Sequence, residues 1–96
     1  MRQKLFCVYI MTNDTGTTLY VGITSDLPGR VYQHKQKLAD GFTKKYQIDK
    51  LVWYEVHDTA ESAISREKKL KGSSRKRKLD LINHLNPEWR DLYEEL

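Results

Sequence analysis

The chain has one cysteine, Cys7, only two prolines and no long apolar run. A lone cysteine forms no intrachain disulfide, which suits a reducing compartment and leads us to expect a cytoplasmic protein. The longest apolar stretch near the start, Leu5-Phe6-Cys7-Val8-Tyr9-Ile10-Met11, is far short of the ~20 residues that cross a bilayer, so no membrane is expected as a partner. No small-residue cleavage site follows it, which argues against a signal peptide. Cysteine and histidine do not cluster at zinc-site spacing. There is no glycine-rich phosphate loop and no Ser-His-Asp order. Internal repeats and low-complexity linkers are also missing. These absences exclude a disulfide scaffold, a structural zinc domain and a P-loop enzyme.

What remains suits one small globular domain. The length of 96 residues fits a single domain over 1–96, with a core over about 4–86 and the segment 87–96 packed back on it. Apolar residues make up 39%, so the core is small, and six Tyr, two Phe and two Trp must supply much of it. The net charge of +4 favours a polyanionic partner only weakly, but its distribution is uneven. Arg66, Lys68, Lys69, Lys71, Arg75, Lys76, Arg77 and Lys78 crowd into 66–78, opposed there by Glu67 alone. Beyond them Asp80, Glu88, Asp91, Glu94 and Glu95 face a single Arg90.

Periodicity orders the elements. The first apolar run reads as a buried strand, and Thr18-Leu19-Tyr20-Val21-Gly22-Ile23 as its hairpin partner across a turn-rich cluster. Asp26 caps a helix with Pro28 in its first turn. Leu27, Val31, His34 and Leu38 mark that helix's apolar face, and it is expected to end near Asp40-Gly41. A polar, basic connection over 42–50 leads to a third strand, Leu51-Val52-Trp53-Tyr54-Glu55-Val56. Asp58-Thr59-Ala60-Glu61 looks like a capping box. The helix behind it turns Ala60, Ala63, Ile64 and Leu70 inward and stops at Gly72. Ser73-Ser74 caps another helix with apolar Leu79, Ile82 and Leu85, ended by Asn86-Pro87. Trp89, Leu92 and Leu96 suggest a short closing turn. The order β-β-α-β-α-α predicts an α+β fold, a three-stranded and mainly antiparallel sheet flanked by helices.

A few polar residues break the pattern. Glu67 follows Ile64 by three positions on the expected inward face, where a carboxylate needs a cation or a metal; pairing with a nearby Lys or Arg meets that need equally well. His34 shares the apolar face of the first helix with Arg30 one turn earlier, and the two could meet one phosphate. Tyr9 and Tyr20 fit sheet packing as readily as chemistry. Gly22 marks a strand end or a close backbone approach. Arg75-Lys76-Arg77-Lys78 opens a helix against the macrodipole, which favours an anionic partner unless capping and solvent absorb the cost. Lys44 and Lys45, before Tyr46, form a second basic patch.

Taken in order, Val8-Tyr9-Ile10, then Tyr20-Val21-Gly22, then Asp26-Leu27 with Arg30 and His34, then Ala63, Arg66 and Glu67, resemble the GIY-YIG nuclease superfamily. The closing Asn86-Pro87-Glu88-Trp89-Arg90-Asp91-Leu92 resembles its small stand-alone bacterial members. The resemblance implies a metal-dependent endonuclease acting on DNA phosphodiester bonds, structure-directed or weakly sequence-specific, with a place in repair or recombination. It implies Tyr9, Tyr20, Arg30, His34 and Glu67 as catalytic residues. Glu67 would hold one divalent ion, Mg2+ or Mn2+. Gly22 would let the backbone turn near the phosphate. Tyr9 is the expected base that activates water, with Tyr20 or His34 assisting. A free phenol has a pKa near ~10, so positive charge must stand beside it. Lys44, Lys45, Arg66, Lys69, Arg75, Lys76, Arg77 and Lys78 are expected to hold nucleic acid, DNA more than RNA, with no obligate protein partner. The pattern departs from the family where Cys7-Val8-Tyr9 replaces the glycine-led motif and where Ile23 stands in place of a Lys. Asn83 and Asn86 both remain candidates for a late asparagine. Two other readings stay open: a nucleic-acid-binding module with weak or no turnover, and a protein-interaction adaptor using the acidic end.

Overall fold

In a computed structural model, which describes residues 4–38 and 41–96, the expected hairpin forms. Strands β1 (Phe6–Thr12) and β2 (Leu19–Thr24) pair antiparallel, and β3 (Lys50–His57) pairs antiparallel with the other edge of β1. The sheet order is therefore β2-β1-β3. This central place explains why β1 lacks polar alternation: both of its edges are bonded and both of its faces are covered. Val8, Tyr9, Ile10, Met11 and Thr12 are all buried. Each such aliphatic side chain contributes about 1.5–3 kcal/mol on burial.

Successive side chains of β1 feed two cores. Val8 and Ile10 pack with Val21, Val52 and Trp53 against Ala63, Leu70 and Ile82. Tyr9 and Met11 face the other way, onto Leu27, Val31, Ile48, Leu51 and Leu92. The first core lies under helices α3 (Ala60–Lys71) and α4 (Arg75–Leu85), the second under α1 (Leu27–Lys35). Side-chain caps start all three helices: Asp26 accepts from the Gly29 amide, Thr59 from Ser62 and Ser74 from Arg77. Thr59 thus caps α3, one residue past the Asp58 start that a capping box at 58–61 implies.

Several expectations on extent are corrected. Helix α1 stops at Lys35, not near Asp40, which lies outside the described residues. Its end is a Schellman motif: Leu38 N–H bonds Gln33 C=O, Lys37 N–H bonds His34 C=O, and Lys37 sits at φ 60°. Leu38 is consequently 71% exposed and is no part of the apolar face. The basic connection after it contains a short helix, α2 (Gly41–Lys45). That helix ends the same way, with Gln47 at φ 53° and Ile48 N–H on Thr43 C=O. Ile64, Leu85 and Leu96, expected inside, are exposed, because Ala63 with Leu70, Ile82 and Leu92 fill the available contacts.

The closing segment is tied to β3. The pairing of β1 with β3 shifts between Ile10 and Met11, leaving Val52 as an extra, bulged residue. Side chains from the end of the chain satisfy the backbone here. Buried Asn86 donates to Val52 C=O (3.2 Å) and Arg90 C=O (2.8 Å), and accepts from Arg90 N–H (3.1 Å). Asp91 accepts from Leu51 N–H (3.2 Å) and also pairs with Lys35 of α1. Leu92 opens a 3-10 turn (Leu92–Glu95) and is buried. Trp89 lays its ring against Gly16 in the hairpin turn and donates to Asn83 (2.6 Å). Asn86→Ala should therefore cost about 2–3 kcal/mol, since it strands a buried carbonyl, and urea unfolding against wild type checks this.

Candidate active site

The hairpin register places the two phenols. Tyr9 stands opposite Gly22, and Met11 opposite Tyr20. Tyr9 and Tyr20 are thus diagonal neighbours on one face, with ring centroids 6.4 Å apart. Helix α1 crosses this face and lowers His34 between them, at 6.0 Å from the Tyr9 ring and 5.4 Å from the Tyr20 ring. The Tyr9 hydroxyl and His34 Nε2 are hydrogen-bonded at 3.2 Å. Arg30, one turn earlier, reaches both phenols. Burial works to lower its pKa, but hydrogen bonding and charge attraction to Tyr9, and then to Tyr20, outweigh that and raise it. The guanidinium is therefore fixed in its charged form beside two oxygens able to carry negative charge.

Gly22 has a definite steric task. A Cβ built there falls inside the phenol of Tyr9. The ring cannot swing away cheaply, because it is only 1% exposed and its hydroxyl is held by His34. The same burial conflicts with the expectation that Tyr9 is the phenol that meets water. Tyr20 is half-buried and opens onto a surface depression of about 280 Å3, lined also by Leu19, Val21, Phe42, Lys71 and Lys78. Glu67 lies on α3, one turn before Lys71. Its carboxylate is mostly buried, with 16% of the side chain accessible, and contacts the Lys71 ammonium at 3.4 Å. The structure thus brings Tyr9, Tyr20, Arg30 and His34 together, and links Glu67 to them through Lys71, which shares the depression with Tyr20.

An aromatic row leads away from this cluster. The Phe42 ring stacks on Tyr20 at 6.1 Å and 30°, and Tyr46 follows at 4.8 Å. Lys45 sits over the Tyr46 ring at 5.5 Å. Phe42 and Tyr46 are 47% and 43% exposed, so flat apolar faces are presented to solvent beside the site. Neither Phe42 nor Lys71 was expected from sequence. The available signal was the i, i+4 spacing of Phe42 and Tyr46 around Lys44 and Lys45.

The basic block does not act as one surface. Lys78 lines the Tyr20 depression and donates to Ser73 C=O at 3.1 Å. Arg75 donates to Gly16 C=O at 3.0 Å, and Lys76 pairs with Asp80 at 3.4 Å. Arg66 turns to the other side, where it bonds Glu55 (3.1 Å) and lies over the Trp53 ring. Lys69 and Arg77 line a separate depression together with Arg66.

The GIY-YIG catalytic domain family matches residues 5–80, and the chain belongs to that family. Within it, the chain is similar to the UPF0213 protein SSP2268 of Staphylococcus saprophyticus, 34% identical over 79% of this chain and 92% of that protein. It is 35% identical to the UPF0213 protein SA0446 of Staphylococcus aureus N315, over 78% of this chain and 90% of that one. The solution NMR structure of the UPF0213 protein BH0048 from Bacillus halodurans has the same fold, with a TM-score of 0.58, 24% identity, and 91% and 92% of the two chains covered. Among the described residues no helix is long and apolar enough to cross a membrane.

Gly22→Ala should displace the Tyr9 ring and break its bond to His34. The expected result is a loss of about 1–3 kcal/mol in stability, as for other overpacked cores, with a changed His34 imidazole signal by NMR. An unchanged signal together with wild-type stability would show that the Tyr9 ring does not need the gap.

Proposed function

We infer that this chain is a metal-dependent endonuclease that hydrolyses DNA phosphodiester bonds, with Arg30, Tyr20, Tyr9, His34 and Glu67 as its working groups. The observation that carries this reading is the convergence of one permanently charged guanidinium on two phenols, one of which, Tyr20, lines a depression together with Lys71 and Lys78. Hydrolysis needs charge neutralised on the phosphoryl oxygens, a proton removed from water and a stabilised leaving oxygen. Arg30 supplies the first, held in place before substrate arrives. Tyr20 is the phenol open to solvent and takes the water's proton. Tyr9 and His34, locked together beneath it, fix its ring and the Arg30 fork.

Glu67 is the residue that would hold the divalent ion. Its donor chemistry fits Mg2+ or Mn2+, which are commonly bound by one or two carboxylates completed by substrate phosphates and water. Among the described residues no cluster of three His, Cys, Asp or Glu stands ready to hold a metal. The ion would therefore be held jointly with the nucleic acid, after the carboxylate leaves Lys71. Once bound, it would supply Lewis-acid charge for the leaving alkoxide.

The aromatic row favours unpaired nucleotides beside the scissile phosphate, because a base can stack on Phe42 or Tyr46 only when out of its duplex. Branched, nicked or single-stranded DNA fits this better than continuous duplex. A small module buries only ~600–1,000 Å2 against nucleic acid, which leaves little area to read a long sequence. The Glu67–Lys71 pair also supports a second reading, a nucleic-acid-binding module with little turnover.

Nicking assays with Mg2+ or Mn2+ separate the two. Wild type should cut, while Glu67→Ala and Arg30→Ala should fall about 100- to 1,000-fold. Absence of cleavage by wild type on paired, branched and single-stranded DNA would reject the enzyme. Phe42→Ala and Tyr46→Ala should weaken binding to single-stranded DNA by about 1–3 kcal/mol each and binding to duplex by less, as read by fluorescence anisotropy. Equal losses on the two would remove the stacking role.

A further inference from the structure

We propose that the depression between α3 and the start of α4 is a second site, which grips backbone phosphates of the same nucleic acid beyond the segment held at the phenols. Its lining is Arg66, Lys69, Leu70, Ser73, Ser74 and Arg77, and its volume is about 340 Å3. Three cations and two hydroxyl-bearing residues meet there without a carboxylate in the lining. The proposal rests on the nucleic-acid reading above and adds a place, a ligand chemistry and a length dependence to it.

The position follows from the sheet order. Arg66 is tied to Glu55 on β3, whereas Lys71 shares its depression with Leu19, Tyr20 and Val21 of β2. Strands β2 and β3 are opposite edges of the sheet. Positions 66 and 69 share one flank of α3 and positions 67 and 71 the other, with Ala63 and Leu70 buried between them. The two depressions therefore lie on either side of one helix, about 10–12 Å across with its side chains. A ligand confined to the Tyr20 depression cannot touch Lys69 or Arg77, but a longer strand can.

Charge accounting points to an anion. Most neighbouring cations are already engaged: Lys71 with Glu67, Lys76 with Asp80, Lys78 with Ser73 and Arg75 with Gly16. The Lys69 and Arg77 side chains make no ion pair or hydrogen bond among the described residues, and Arg66 bonds only through Nε, which leaves its outer nitrogens available. The cations of α3 near its C-terminal end are favoured by the macrodipole; those in the first turn of α4 are opposed by it, and that turn holds no acid, Asp80 one turn on pairing with Lys76 alone. A neighbouring depression of about 250 Å3, lined by His57, Ser62, Ser65, Arg66 and Lys69, extends the same basic furrow along α3. No aromatic ring other than the His57 imidazole lines either depression, in contrast to the Phe42 side, so the furrow suits phosphates and not bases.

The test compares wild type with the double variant Lys69→Gln/Arg77→Gln, binding labelled single-stranded DNA of about six and about thirty nucleotides, in EDTA. On the long strand the variant should bind at least 10-fold more weakly, and its salt slope should drop by about 1.4, the value for two phosphates. On the short strand it should match wild type, and Lys69→Arg/Arg77→Lys should restore most of the long-strand affinity. Thermal melting checks that each variant folds. Equal losses on both lengths, or none on either, would overturn the second site while leaving the nuclease reading intact. Failure of wild type to bind the long strand would also overturn the second site, while the nuclease reading stands or falls by the nicking assay. Inorganic phosphate alone, if it displaced the long strand fully at millimolar concentration, would make the furrow a receptor for small phosphates and overturn the strand grip.

Discussion

The site depends on the crossing of the Tyr9 ring over Gly22. Tyr9 lies on the central strand, where everything around it is packed, and its phenol occupies the space that a side chain at position 22 would take. That one vacancy lets a large polar ring lie flat against the sheet with its hydroxyl on His34. His34 in turn fixes the rotation of α1, and with it the direction in which Arg30 points. Losing the gap at Gly22 would disturb the Tyr9–His34 bond first, while Arg30 keeps its bond to Gln33 (2.9 Å) and Tyr20 its stack on Phe42.

The charges around the sheet are sorted in a way the linear sequence hides. A run of cations in 66–78 looks like one basic surface. Folding divides it by helix flank, so that immediate neighbours in the chain serve opposite edges of the sheet. Arg66 and Glu67 are the clearest case. One is tied to Glu55 and Trp53, and the other is matched to Lys71 beside Tyr20. Part of the excess positive charge is thus structural, holding the hairpin turn or capping carbonyls, and part is left for a partner.

Much of the fold was legible because apolar runs and caps are local signals. The three strands follow directly from β-branched and aromatic runs, and Asp26 and Ser74 cap where expected. The misses have physical causes. Gly41 is a familiar stop signal and predicts a longer α1, while the real stop is Lys37 in a left-handed conformation that its residue type does not advertise. Periodicity places Ile64 and Leu85 on the apolar stripe but does not give the stripe's width, and both are exposed. Helix α2 escaped notice because it is short, and its hold on the fold rests on Thr43 and Ile48, only one of which is apolar. Within the site, the grouping of Tyr9, Tyr20, Arg30 and His34 was visible only through the resemblance, since hairpin register is not written in composition. The near-complete sealing of the Tyr9 ring goes beyond the buried strand that its apolar neighbours predict. It depends on α1 lying across the sheet, a long-range contact.

Helix α2 and its flanks have a consequence of their own. The aromatic platform is carried by a short insert between α1 and β3, anchored by two inward side chains, while Tyr9, Tyr20, Arg30, His34 and Glu67 belong to the hairpin, α1 and α3. Tyr46 touches this cluster only through Phe42, whereas Phe42 itself stacks on Tyr20 and so borders the Tyr9–His34 pair. In the nuclease proposed above, the grip on unpaired bases and the bond-breaking groups are thus set by different elements that meet at one ring stack, so relatives could diverge at position 46 while keeping the cluster around Tyr9.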